Sequence, residues 1–373
     1  MRSALNPFLG TARACWLVAC LACAPFAARA ATFSSIPASL VTGTTNAVVL
    51  SVGGLVNQQP IRIELFRDAN GNGSIDPGDD LVLSFKAADG ELPPFPASSV
   101  MGSAGDDDGA TNGQVRKSLT LAILPEIARV VGSYVFRVSA VDSSFASMTQ
   151  PFVIGAGAYA QAVEGRVLSS GVPVASAVVV MLAVAGMHVE MVTAGISDGA
   201  GHFSLKAPPA DYQLLAFKLG YVGDVGNAPG ISLIAGVNST QDVTLVTAGS
   251  SISGRVVDEL TSNGIPGLQL FMESPDGFVT LVVSGTNGDF FASVPPAAWK
   301  VEASDLATAL MGYGSRKVNV DVTGGDATNV KLGLSSARGS FQLVFFFPDG
   351  SFGNGTNGAL SYPTRLKRSP RAR

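Results

Sequence analysis

An internal duplication constrains this chain more than any other feature. The stretch 164–221 returns, with drift, at 253–313. The matched segments each contain a glycine, a proline or a core aromatic: Gly165-Arg166-Val167 with Gly254-Arg255-Val256, Gly171-Val172-Pro173-Val174 with Gly264-Ile265-Pro266-Gly267, Gly201-His202-Phe203 with Gly288-Asp289-Phe290, Pro208-Pro209 with Pro295-Pro296, and Tyr212 with Trp299. A period this long indicates duplicated domains, because solenoid repeats recur every ~20–50 residues.

Composition favours an all-β chain. Charged residues make up only 14% of the 373, and 43 glycines punctuate short runs rich in Val, Thr, Ser and Phe. Such a pattern is typical of many short strands joined by tight turns. We therefore predict three antiparallel β-sandwich domains in series after a signal peptide, with boundaries at 1–30 for the signal, 31–155, 160–247, 250–335, and 336–373 for an apolar strand followed by a Gly-rich basic tail.

The N-terminus has the pattern of a secretory signal. Arg2 and Arg13 precede the apolar run 14–28, and Ala28-Arg29-Ala30 is a small-x-small cleavage site, so we predict cleavage after Ala30. A rival prediction is a lipid anchor on Cys20, because 17–20 resembles a bacterial lipobox, although its apolar lead-in is short. The chain is accordingly expected to be secreted or to reside in the cell envelope.

Cysteine and charge exclude several classes of function. All three cysteines lie in the signal segment, so a chain cleaved after Ala30 has no disulfide and no thiol chemistry. The signal and the tail 365–373 carry basic residues without acids, so the body between them is more acidic than the net charge of −4. An acidic body excludes phosphate-dominated binding of nucleic acid. We expect no membrane span in the mature chain, since the uncharged run 167–187 contains Gly171 and Pro173.

The first domain is predicted from alternating runs at 46–52, 61–66, 81–85, 115–123 and 134–141, separated by clusters of Gly, Pro, Asn and Asp. It resembles a bacterial immunoglobulin-like domain. In the repeats, Val178, Val180 and Leu182 share one face of a strand, and Tyr212, Leu214 and Ala216 share another.

The repeat motifs resemble a known family. Gly-Arg-Val, Gly-x-Pro, an apolar strand, Gly-x-Phe, and Pro-Pro before an aromatic look like the carboxypeptidase regulatory-like domain. The resemblance covers 160–335 and implies a transthyretin-like sandwich, similar also to starch-binding domains. Members of that family occur as accessory, non-catalytic modules, and no peptidase domain accompanies them here.

A calcium loop is the strongest local signal for chemistry. In the stretch 68–80, loop positions 1, 3, 5, 7, 9 and 12 fall on Asp68, Asn70, Asn72, Ser74, Asp76 and Asp79, and Gly73 takes the sharp-turn position 6. The flanks predict strands and position 12 is Asp rather than Glu, so we predict an EF-hand-like loop between strands that holds a structural calcium. The alternative is a turn that binds nothing. Asp106, Asp107, Asp108 and Asn112 are a weaker candidate for an ion site, or a solvated acidic loop.

Catalytic signals are sparse. Only His188 and His202 are present, with no Gly-x-Ser-x-Gly elbow and no His-Glu-x-x-His pair. Gly353 to Gly358 matches a dinucleotide glycine pattern but lacks the βαβ context, so it predicts a turn. Among the aromatics, Tyr212 and Trp299 are expected in the core, whereas Tyr159, Tyr221 and Tyr313 are candidates for stacking on a sugar.

These observations predict a non-enzymatic exported protein that acts as an interaction or spacer module, with no catalytic residues. Its expected partner is an extracellular protein or polysaccharide. A carbohydrate-binding accessory protein is the alternative from another class. A hydrolase-associated module is the third, and it requires a cleft with converging acids.

Overall fold

The computed structural model describes residues 30–92, 104–185, 188–336, 344–346 and 352–354. The predicted signal peptide, its cleavage site and Cys20 lie outside the described residues, as do parts of the 91–114 loop and most of the apolar run 341–347 and the tail. Strands dominate what is described, and one α-helix is present there, so the all-β prediction is confirmed. The domain boundaries themselves stay predictions.

The first unit, residues 31–155, consists of two sheets. Their orders are β1-β3-β6 and β2-β8-β7-β4-β5. The strands are β1 (Thr32–Ile36), β2 (Ser39–Val41), β3 (Ala47–Gly53), β4 (Pro60–Arg67), β5 (Asp80–Ala88), β6 (Gln114–Thr120), β7 (Gly132–Ala140) and β8 (Met148–Gly155), with short 3-10 turns at Leu121–Ile123 and Glu126–Arg129. Strand β3 alternates buried and half-buried residues, as its sequence predicts for a strand with one face on the core.

The first repeat contributes ten strands. They are β9 (Ala162–Ser169), β10 (Val172–Pro173), β11 (Val178–Ala185), β12 (His188–Ile196), β13 (His202–Lys206), β14 (Asp211–Phe217), β15 (Tyr221–Asp224), β16 (Gly230–Ser232), β17 (Ser239–Thr240) and β18 (Val243–Thr247). Strand β9 pairs antiparallel with β13 and parallel with β18. The facing sheet has the order β12-β11-β14-β16.

The second repeat copies this topology. Its elements are β19 (Ser250–Asp258), β20 (Gln269–Glu273), β21 (Phe278–Val283), β22 (Asp289–Val294), β23 (Ala298–Ala303), α1 (Asp305–Met311), β24 (Lys317–Asp321) and β25 (Ala327–Leu334). Strand β19 pairs antiparallel with β22 and parallel with β25, and the facing sheet has the order β21-β20-β23-β24. A further hairpin follows, β26 (Val344–Phe346) with β27 (Phe352–Asn354).

Matched contacts confirm the duplication at the level of single bonds. Tyr212 Oη donates to the carbonyl of Pro208 over 2.8 Å, and Trp299 Nε1 donates to that of Pro295 over 3.1 Å. Both aromatic side chains are buried, as expected for core anchors. The copies therefore share a bond as well as a residue class.

One segment of the sequence alignment is wrong by two residues. Val174 N bonds to Val167 O, and the equivalent bond in the second repeat runs from Ile265 N to Val256 O. Val174 therefore corresponds to Ile265 and not to Gly267. The two Gly-x-Pro motifs are therefore not equivalent, because the turn that contains them differs in length between the copies.

The repeats are joined to each other and to the first unit. Strand β15 of the first repeat pairs with β18 and also with β21 of the second repeat, so one sheet runs through both. The cores of the first unit and the second repeat are contiguous, and a side chain at Gly267 would collide with the backbone of Ser84. No helix in the described part of the chain is long and apolar enough to cross a membrane.

Candidate functional site

The predicted calcium loop occupies the twelve residues between β4 and β5, whose ends pair at Arg67 and Asp80. Asp68 is buried and its carboxylate accepts N–H bonds from Gly71, Asn72 and Gly73 at 2.7, 3.2 and 2.8 Å. Three N–H donors on one carboxylate curl the chain into the tight turn that the glycine at position 6 predicts. The strand-loop-strand arrangement expected for this segment is present.

The opposite side of the loop brings three more predicted residues together. Asp76 Oδ2 accepts bonds from Asn70 Nδ2 at 3.0 Å and Asn72 Nδ2 at 2.6 Å. These bonds, Asn70 first, lower the pKa of Asp76. An amide that turns about its last bond presents oxygen in place of nitrogen, so these side chains can offer three oxygens to a hard cation. The residue types suit calcium, while the amide oxygens of Asn70 and Asn72 here accept N–H bonds from Asn72 and Ser74.

Asp79 and Ser74 have other contacts. Asp79 accepts from Ala69 N at 2.9 Å and Asp76 N at 2.7 Å, and it closes the loop, while Ser74 N donates to Asn72 Oδ1. Within the described residues, no three His, Cys, Asp or Glu side chains are grouped as a metal site. Any cation bound here would therefore depend on the asparagine oxygens as well as on carboxylates.

The second acidic candidate, around Asp106, organises its own loop. The carboxylate of Asp106 is fully buried and accepts bonds from Gly90 N and Arg116 N at 3.2 and 2.9 Å, and burial raises its pKa. Asp107 pairs with the buried Lys117 at 2.8 Å, and Asp108 accepts from Ala110 N and from the Asn112 amide. These carboxylates are engaged with N–H donors that hold the loop closed.

The described contacts of His202 are with residues around its own turn. His202 is exposed on a strand edge, where Nε2 accepts a bond from Arg166 Nε at 2.8 Å and Nδ1 lies 3.6 Å from Asp198. The equivalent arginine in the second repeat, Arg255, donates instead to the carbonyl of Asn287 at 2.7 Å. Both arginines thus fasten the same turn. His188 begins β12, and its side chain is outside the described set.

The aromatic candidates for sugar stacking separate into two groups. Tyr159, Tyr221 and Tyr313 are half-buried, whereas Tyr212 and Trp299 are in the core. Tyr313 Oη donates to Asp258 over 3.1 Å and lines a polar cleft of about 230 Å³, which Arg62 and Asn263 also line. The stretch 355–358, which completes the dinucleotide-like glycine pattern, lies outside the described residues.

A larger cleft lies where all three modules meet, and the sequence did not reveal it. It encloses about 460 Å³ between the outer faces of the β12-β11-β14 sheet and of β20 and β21. Val178 and Val180 pack in this junction rather than in the sandwich core, which Val179 and Met181 fill from the other face of β11. The expected shared face of Val178, Val180 and Leu182 is therefore real, but it faces a neighbouring module.

Polar contacts hold the junction from the side of the first unit. Gln269 Oε1 accepts the N–H of Ile127 at 2.8 Å, and Gln269 Nε2 donates to Glu126. Val131 N also donates to the carbonyl of Ala194 on β12 over 2.9 Å. These bonds tie the segment 126–131 to both repeats.

Comparison with known proteins gives no family. No protein-family model matches the chain, and no curated protein matches it. The resemblance to the carboxypeptidase regulatory-like domain therefore stays a prediction from its motif residues.

Solved structures give only distant likeness. One is the Bacillus anthracis TIE protein, 10% identical, with 86% of this chain and 64% of that chain covered and a TM-score of 0.22. A streptococcal ancillary pilin is 12% identical over 75% of this chain and 93% of its own, with a TM-score of 0.23. The shaft pilin SpaA from Lactobacillus rhamnosus GG is 11% identical over 47% and 96%, with a TM-score of 0.20. TM-scores this low leave the function to be argued from the chain's own sites.

Proposed function

We propose that this chain is an exported, non-enzymatic spacer or interaction module of the cell envelope. The proposal rests on which contacts the two copies share. The bonds of Tyr212 to Pro208 and of Trp299 to Pro295 are packing contacts. His202, a residue type that often serves in acid–base catalysis, is replaced by Asp289 in the other copy. A duplication that preserves packing and varies its polar groups suits a scaffold whose loops bind a partner.

Export is tested by following the full chain, with its N-terminal segment, through cell fractionation. We expect a mature protein that begins at Ala31 in the envelope or the medium. A Cys20→Ala variant separates cleavage after Ala30 from a lipid anchor on Cys20. It leaves a chain cleaved after Ala30 unchanged, whereas it removes the site of lipid attachment from a lipid-anchored chain. Retention of the uncleaved chain in the cytoplasm would overturn the proposal.

Calcium is proposed as a brace of the first unit, supported by the convergence of Asn70, Asn72 and Asp76. Extracellular calcium modules bind with a Kd of about 10⁻⁴–10⁻³ M, and free calcium at about ten times the Kd adds ~1.4 kcal/mol to the free energy of unfolding. Chelation should therefore lower the melting temperature of the wild type, and Asp68→Ala or Asp76→Ala should remove this dependence. Asp224→Ala, in the first repeat, is the matched control. Equal melting with and without chelator would exclude the brace.

Carbohydrate binding is the second candidate, favoured by the polar cleft beside Tyr313. A glycan array and pull-down on insoluble polysaccharide test it, with Tyr313→Ala and Asn263→Ala expected to abolish any retention. If no glycan is retained, the partner is to be sought among extracellular proteins.

A further inference from the structure

The junction cleft has the size and position of a ligand site. Protein cores are packed so closely that voids larger than a water molecule are few. Small-molecule pockets occupy roughly 300–1,000 Å³ and occur preferentially between domains. The junction cleft has a volume of about 460 Å³ and lies where three modules meet, so both its size and its position are those of a ligand site.

Its walls are mainly apolar and come from both repeats. Leu182, Val189 and Leu215 line it on the first repeat, and Phe271 and Leu281 line it on the second. Val189 is 57% exposed, so this wall is open to an incoming ligand. An apolar lining of this kind favours an aliphatic or aromatic body over a sugar, whose hydroxyls would lose hydrogen bonds to water.

The ionisable side chains that line the cleft are all carboxylates: Glu126, Glu273, Glu302 and Asp305. Two bases lie among them, since Lys300 bridges Glu273 and Glu302 at 2.5 and 2.8 Å and Arg129 pairs with Glu126 at 3.2 Å. Burial lowers the pKa of Arg129, and the charges of Glu126 and Glu190 oppose that shift. Four carboxylates thus line the cleft against two bases, and low-dielectric walls focus their field on it.

We propose that this cleft binds a small amphiphilic cation, with its apolar body between Leu215 and Phe271 and its ammonium or guanidinium group at Glu302 and Asp305. The field excludes anions and the lining disfavours sugars. The site is assembled only where the repeats meet, so it belongs to neither copy alone. It is independent of the spacer role, because a scaffold with an empty cleft would still hold its modules together.

The test uses the full mature chain and three matched probes below their micelle concentrations: octyltrimethylammonium, octanoate and octanol. Isothermal calorimetry should give saturable binding of the ammonium, at least about tenfold tighter than of octanoate, which corresponds to ~1.4 kcal/mol. Glu302→Gln should weaken the ammonium about fivefold and leave octanol unchanged. Val189→Trp should fill the cleft and abolish binding of the ammonium and of octanol.

Controls separate a site from general adhesion. Val153→Trp places the same side chain at an exposed valine of the first unit and should change nothing. Glu164→Gln, at an exposed carboxylate outside the cleft, should not weaken the ammonium. Equal affinity for ammonium and octanoate, or binding that survives Val189→Trp in a variant with an unchanged melting temperature, overturns the proposal. Binding only of a basic peptide such as 359–373 would also overturn it and make the cleft a peptide-docking surface.

Discussion

The two repeats are alike inside and different outside. Both sandwich cores use the same bond from an aromatic to a proline carbonyl. Their outer faces diverge: β11 is apolar along its whole length, whereas β20 alternates, with Leu270 and Met272 in the core and Gln269 and Glu273 at the junction. Duplication therefore preserved what folds each module, and divergence acted on the faces through which the copies meet their neighbours.

The largest expected effect breaks what the copies share. A side chain at Gly254 would collide with the carbonyl of Val330, and one at Gly165 would collide with that of Gln241. We expect Gly254→Ala and Gly165→Ala each to lower the free energy of unfolding by about 3 kcal/mol, because overpacking displaces a strand. Urea denaturation measures this. Gly249→Ala, where an added side chain would meet no atom within 4 Å beyond its chain neighbours, is the control, with a change below about 0.5 kcal/mol. Unequal losses in the repeats would end the claim of a shared interior.

A second pair of variants sharpens the comparison between the core aromatics. Trp299→Phe loses its hydrogen bond to Pro295 and leaves a cavity, so we expect a loss of about 2 kcal/mol. Tyr212→Phe loses only the hydroxyl bond to Pro208 and should cost about 1 kcal/mol. Thermal and urea unfolding give both values. A neutral Tyr212→Phe would mean that the bond contributes nothing in the first repeat.

The outer faces are tested at Gln269, a residue of the second repeat that lies at the junction. Gln269→Ala removes the bonds to Ile127 and Glu126 and should cost about 1 kcal/mol. Hydrogen exchange should speed up at the Ile127 amide while the sandwich cores stay protected. Gln241→Ala, at a half-buried glutamine outside the junction, is the control. Unchanged exchange at Ile127 would show that the junction does not depend on this side chain.

The smallest effect concerns pH. Burial of Asp258 opposes its ionisation, but hydrogen bonds from Thr261, Tyr313 and Leu260 together lower its pKa from 3.8. A carboxyl with a lowered pKa stabilises the fold above pH ~4, and that contribution is lost as pH falls through the folded-state pKa. Ser169 holds this position in the first repeat. Asp258→Asn should therefore cost about 0.5 kcal/mol at pH 7 and nothing near pH 2, measured by urea midpoints. An equal loss at both values would assign the effect to shape rather than charge.

The fold could be predicted from the sequence because its signals are local. Turn glycines, period-two strands and the flanks of the 68–79 loop each depend on neighbouring residues, and the structure has them in place. The junction could not be predicted in this way. Both faces of β11 are buried, so Val178, Val179 and Val180 are all apolar. A strand in which apolar and polar residues do not alternate gives no sign of which face packs against which partner. The carboxylates of the cleft come from three segments far apart in the chain, so no spacing motif could have joined them.

The pairing of β15 with β21 also limits how this architecture can grow. The first repeat offers β15 as a connecting strand, and β21 of the second repeat accepts it. At the corresponding place after β23 the second repeat has the helix α1 instead of a strand. A third copy appended behind it would find no connecting strand of this kind to extend the shared sheet. The joint is therefore directional: within residues 160–336, only the first copy supplies a connecting strand at this place, and the second copy receives it.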